Sequence, residues 1–190
     1  MNLTPTPSQT VGPYLHLGLT DTRSVSRIVG ERGKGERVQL ICRVLDGDGT
    51  PVPDAMIELW QADADGNYSR PDDSGSAQSG PAFRGFGRMA TSEDGTCRFE
   101  TIKPGRVPSP DGNFQAPHIN VSVLGRGLLK RLATRIYFAG EAANASDPVL
   151  ALVPESRRET LVAQQDPERP EGWRFDVRLC GEGETVFFDV

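Results

Sequence analysis

His118 and Asn120 stand two residues apart in the run Ala116-Pro117-His118-Ile119-Asn120, which leads into the alternation Val121-Ser122-Val123. On a strand, residues at that spacing face the same way. A His-x-His pair there would offer two imidazoles to one metal ion, whereas an amide in the second place is a poor ligand for a transition metal. The chain has one other histidine, His16. Taken alone, His118 reads more simply as a hydrogen-bonded structural histidine than as a ligand. Arg126, Lys130, Arg131 and Arg135 put four positive charges within ten residues, and such a run ordinarily forms a solvated face. Arg135 differs because Thr134-Arg135-Ile136-Tyr137-Phe138 has strand character. Its guanidinium can point into a pocket and grip a carboxylate through two parallel hydrogen bonds. Asp63-Ala64-Asp65-Gly66-Asn67-Tyr68 starts like a calcium loop. That loop needs Gly sixth and Glu twelfth, and these places hold Tyr68 and Ser74, so an Asp-Gly turn is expected instead. The chain has no GxSxG elbow, HExxH pair or complete phosphate loop. Nothing local supports a Ser-His-Asp triad around either histidine.

The elements that must position these residues are short strands. The 190 residues include 21 Gly and 15 Pro, a turn-rich composition that favours strands and loops over long helices. Apolar or alternating runs predict strands at Val38–Leu45, Ala55–Gln61, Phe86–Ala90, Cys97–Ile102, His118–Leu124, Thr134–Phe138, Trp173–Leu179 and Thr185–Phe188. Ser156-Arg157-Arg158-Glu159 has the capping-box form, with Thr160–Gln164 continuing as a short helix. Residues 69–82, almost without apolar side chains, read as a long surface loop. The expectation is an all-β single domain over 1–190, an antiparallel β-sandwich with long loops and a few short helices. Residues 1–13 form an extended arm, 38–138 and 173–190 the sandwich core, and 141–170 a helix and loop connection. A net charge of −5 argues against nucleic acid or an anionic membrane as the main partner. The longest apolar run, Val149–Val153, is far too short to cross a bilayer. No signal peptide is visible, and Cys42, Cys97 and Cys180, an odd count without a CxxC pair, read as reduced core thiols of a cytoplasmic protein.

Together these residues form a set that resembles the intradiol ring-cleaving dioxygenases over nearly the whole chain. The resemblance lies in Thr6 to Tyr14 (TPSQTVGPY), Glu58-Leu59-Trp60-Gln61-Ala62-Asp63, Thr101-Ile102-Lys103-Pro104-Gly105, Ala116 to Asn120, Thr134 to Phe138 and Gly181 to Phe188. Catalytic chains of this family hold a ferric non-haem iron with two tyrosines and two histidines. The resemblance implies that these positions fall here at Tyr68, Val107, His118 and Asn120, so two of four ligands are replaced. Gln115 stands in the region where a catalytic chain carries an arginine. Tyr68 and His118 alone would make a site too weak to retain iron against water. The family then implies a homologous β subunit that holds the Fe(III), with this chain lining part of a substrate cavity at their interface. Thr10, Gly12, Pro13, Tyr14 and Arg135 are the expected contributors. Gly12-Pro13 allows close backbone approach at a fixed turn, Tyr14 offers an aromatic wall with a polar tip, and Arg135 suits a benzoate carboxylate. The implied reaction opens the ring of 3,4-dihydroxybenzoate (protocatechuate) with O₂ to give 3-carboxy-cis,cis-muconate. A β-sandwich scaffold or binding subunit with no direct part in catalysis is the alternative.

Overall fold

Alternating burial along the longest strands sets the architecture. In the computed structural model, which describes residues 6–21, 23–68, 82–109 and 112–190, β1 (Arg37–Leu45) buries Val38, Leu40, Cys42 and Val44 while exposing Gln39 and Arg43. The remaining strands are β2 (Met56–Gln61), β3 (Phe86–Ala90), β4 (Thr96–Ile102), the short β5 (Val107–Pro108) and β6 (Phe114–Gln115), β7 (His118–Leu124), β8 (Leu132–Phe138), β9 (Val162–Asp166) and β10 (Arg169–Arg178). Eight of them follow the order β3-β2-β7-β8-β9-β10-β1-β4. The β2-β7-β8 and β10-β1-β4 parts face each other across one apolar cluster. Ile57, Leu59, Ile119, Val121 and Ile136 come from the first part, and Leu40, Phe99, Phe175 and Val177 from the second. Each such side chain contributes about 1.5–3 kcal/mol on full burial. At Gly87 the packing leaves no room for a side chain: a Cβ would lie 2.8 Å from Ile28 and 3.0 Å from Phe99.

The all-β fold agrees with the sequence reading. Most pairings are antiparallel, but β1–β10 and β8–β9 run parallel. The expected helix over 160–164 is replaced. A 3₁₀ helix covers Glu155–Leu161, its N-cap Pro154 makes no side-chain cap bond, and β9 follows at once. Val162 and Ala163 pair with Tyr137 and Phe138, so sheet pairing overrides the local capping signal. The connection over 141–170 thus contains the strand that links the two halves, since β9 also pairs with β10. Thr185–Phe188 does not form a strand. It is held by one bridge, Ala133 to Phe188, and by side-chain bonds such as Thr134 Oγ1 to the Val186 carbonyl at 2.7 Å. Cys42 and Cys97 are buried as expected, but Cys180 is exposed, so it is not a core thiol. The loop expected over 69–82 lies, except for Ala82, outside the described residues, as do residues 1–5 of the arm.

Candidate functional site

The outer face of β2, β7 and β8 gathers the positions singled out above. Strand register sets Trp60 opposite Asn120, and Asn120 opposite Arg135, with His118 opposite Tyr137 one step along. Tyr68 reaches this face from the loop after β2. That loop is held by the Asp63 carboxylate, which accepts the Asp65 and Asn67 N–H groups, each at 2.9 Å. This is the expected Asp-Gly turn. Gly66, at φ 84°, is forced: a Cβ there would lie 2.1 Å from the Arg106 carbonyl. The contact sets the Tyr68 loop against the segment that carries Val107. Tyr68 stacks on Trp60 with ring centres 6.0 Å apart, and its hydroxyl accepts from Asn120 Nδ2 at 3.2 Å. Buried Val107 pairs with Gln115, whose Oε1 accepts from Arg135 Nη1 at 2.7 Å.

His118 is 1% exposed, and its Nδ1 lies 2.8 Å from the Ala116 carbonyl. A carbonyl only accepts, so Nδ1 carries the proton. Burial first, and the Arg135 charge second, push its pKa down to about 4, so the ring is neutral near pH 7. Behind it, Asp147 accepts the Ala116 N–H at 2.7 Å, the Tyr137 hydroxyl at 3.0 Å and the Leu150 N–H at 2.7 Å. Burial is the first cause that pushes the Tyr137 phenol up. Asp147 is a hub that sequence reasoning missed, because its partners are backbone groups and one tyrosine distant in sequence.

The donor chemistry at the four matched positions does not fit a ferric ion. Val107 has no donor atom, the Asn120 amide is engaged with the Tyr68 hydroxyl, and only His118 and Tyr68 retain ligand-type atoms. No group of three or more His, Cys, Asp or Glu among the described residues could hold a metal. Arg135 has no acidic side chain within ion-pair distance among the described residues.

The arm lies elsewhere on this chain. Thr10 Oγ1 accepts the Gly127 N–H at 2.8 Å and donates to the Gly125 carbonyl at 3.4 Å. Gly125 follows the far end of β7, five residues from Asn120 and so roughly 17 Å along the strand. Gly12 and Pro13 are exposed, and Tyr14 is 82% exposed. The structure therefore brings Arg135 together with Tyr68, Val107, His118 and Asn120, and leaves the Thr10 anchor at the opposite end of the strand. An open recess of about 770 Å³ on the outer side of β1, β9 and β10 contains none of these residues. Its Arg43 and Arg174 are paired with Asp176 and Asp166 at 2.5 and 3.0 Å.

Residues 11–181 match the sequence model of a family described as Dioxygenase. The chain is 50% identical to the protocatechuate 3,4-dioxygenase alpha chain of Burkholderia cepacia, over 97% of each chain. It is 44% identical to the alpha chain from Pseudomonas putida, over 97% of this chain and 96% of that one. The beta chain of the B. cepacia enzyme is 37% identical over 80% of this chain and 67% of its own length. Among solved structures, the dioxygenase domain of a carbohydrate-binding fusion protein from Streptomyces sp. SirexAA-E superposes with a TM-score of 0.63 at 24% identity. That match covers 96% of this chain and all (100%) of the domain, and it bears on the fold alone.

Proposed function

The chain belongs to the intradiol ring-cleaving dioxygenase family, and from that premise we propose that it is the α-type, substrate-lining chain of a protocatechuate 3,4-dioxygenase. In this reading a homologous β chain holds the iron on which enzymes of the family depend. The pair cleaves 3,4-dihydroxybenzoate between its two hydroxyl-bearing carbons, and both atoms of O₂ enter 3-carboxy-cis,cis-muconate. The observation that carries the reading is the replacement of donor atoms at Val107 and Asn120, with the Asn120 amide now satisfying Tyr68. When bound on the partner, the ferric ion would supply the electronic sink for oxygen attack.

This chain's part is binding and positioning. Gly12, Pro13 and Tyr14 would form a wall of the cavity, with Thr10 fixing the arm; since the arm and Arg135 stand at opposite ends of β7, one substrate would meet them from two copies of this chain. Arg135, without an acidic partner among the described residues, would orient the substrate carboxylate. A cytoplasmic setting belongs to the same reading. Three cysteines, an odd count without a CxxC pair, fit thiols kept reduced.

The test is iron content and ring cleavage with and without the β chain. The purified chain alone is expected to be colourless and inactive, and the co-expressed complex iron-loaded and active. Stoichiometric iron and turnover in the isolated chain would overturn the proposal. Arg135→Ala in the complex separates substrate contact from the scaffold alternative. Loss of a direct carboxylate contact should weaken kcat/KM by about 1–3 kcal/mol, whereas an unchanged Michaelis constant favours the scaffold.

A further inference from the structure

We propose that His16 and Asp54 form a clamp that fixes the shape of the N-terminal arm, which makes them positioning residues for the ring-cleaving reaction. The inference rests on the role proposed for the arm.

Two anchors bracket the exposed stretch. Upstream, Thr10 is bonded to Gly125 and Gly127 in the turn between β7 and β8. Downstream, His16 Nδ1 lies 2.8 Å from Asp54 Oδ1. The same ring nitrogen lies 3.1 Å from the Thr20 hydroxyl. The anchors are also joined to each other. Arg126, in the turn that binds Thr10, lies 3.9 Å from the second Asp54 oxygen. Between them the chain bends: the Leu15 N–H donates to the Gly12 carbonyl at 3.1 Å, and the Leu17 N–H to the Pro13 carbonyl at 3.3 Å. Pro13, with its preset φ, opens this helical turn.

Asp54 itself is unusual. At φ 58° it is the one non-glycine residue with positive φ among the described residues. That region is seldom occupied by residues with a side chain, though Asp and Asn enter it more readily than most. Its backbone is fixed to the sheet scaffold. The Asp54 N–H donates to the Thr91 carbonyl at 3.0 Å, and the Ala55 N–H to Thr91 Oγ1 at 2.9 Å. Rare backbone geometry held by its surroundings concentrates at functional positions. An exposed polar contact of this kind contributes little to global stability, but here its job is local. It closes a segment of five residues, Val11 to Leu15, whose ends have little freedom left to lose. The result is an exposed Gly12-Pro13-Tyr14 bend of fixed shape, suited to entering a cavity on another chain.

Asp54→Gly removes the carboxylate and suits positive φ; His16→Ala removes the other partner and leaves Asp54 intact. Both would be studied in the αβ complex by amide hydrogen exchange over residues 6–17 and by steady-state kinetics with protocatechuate. In both variants arm exchange is expected to quicken by about tenfold or more. KM is expected to rise about three- to tenfold, with kcat held within about twofold and the iron absorption unaltered. Arm exchange unchanged in both variants would overturn the clamp. Faster exchange with an unchanged KM would support the clamp and sink the arm's proposed place in the substrate cavity.

Discussion

At the residue scale, His118, Asn120 and Tyr68 hold polar atoms in hydrogen bonds. His118 gives the clearest consequence. Its pKa is lowered from 6.5 to about 4, by burial before all else. Between those values the unfolded chain binds a proton that the native chain refuses, so stability rises with pH across this window and is fully present above about 6.5. The span corresponds to a stabilisation on the order of 3 kcal/mol, lost as the pH falls toward 4. Denaturant titrations at pH 4 to 7 should show this slope, and His118→Gln should flatten it. An unaltered slope in the variant would assign the pH dependence to other groups. That Val107 offers no donor and Asn120 only an amide is legible in the sequence, because donor chemistry can be read from residue type. The bonds Asn120–Tyr68 and Gln115–Arg135 are not, since they depend on strand register and loop path. The His16–Asp54 contact is not legible there, because nothing near His16 in sequence announces Asp54.

At the element scale, strong alternation made β1, β2, β4 and β7 readable. β9 escaped because Gln164 and Gln165 are polar and exposed, and its identity comes from partners on both sides. β5 and β6 are two residues each, too short to carry a period. The entry to β9 packs Leu161, 0% exposed, against Tyr137, Leu150 and Ala116 under the His118 face. Leu161→Ala should therefore lower unfolding free energy by about 2–5 kcal/mol. Leu152→Ala, at a side chain 81% exposed, should shift it by less than about 0.5 kcal/mol. Urea denaturation of both variants compares them directly, and similar losses would mean that Leu161 is not a packing anchor.

At the scale of the whole molecule, the chain presents aromatic surface that monomers usually bury. Trp60 is 43% exposed on the His118 face, Phe114 is 47% exposed and Tyr14 stands out from the arm. Aromatic side chains are enriched at interfaces. The other tryptophan, Trp173, is buried in the core. If the β chain covers the Trp60 face, acrylamide quenching of tryptophan emission should fall on assembly, and Trp60→Phe should abolish that change. Quenching of Trp60 that stays at its free-chain level in the assembled complex would place the interface elsewhere. The Asn120–Tyr68 bond has a further consequence. Because the amide satisfies the phenol, this face of β2 and β7 needs no ligand to complete its hydrogen bonding. If the iron is held on the β chain alone, a cell short of metal would still produce this chain in finished form, and scarcity would limit the supply of its partner. Finished copies would then accumulate ahead of loaded ones, ready to take up each partner as it matures.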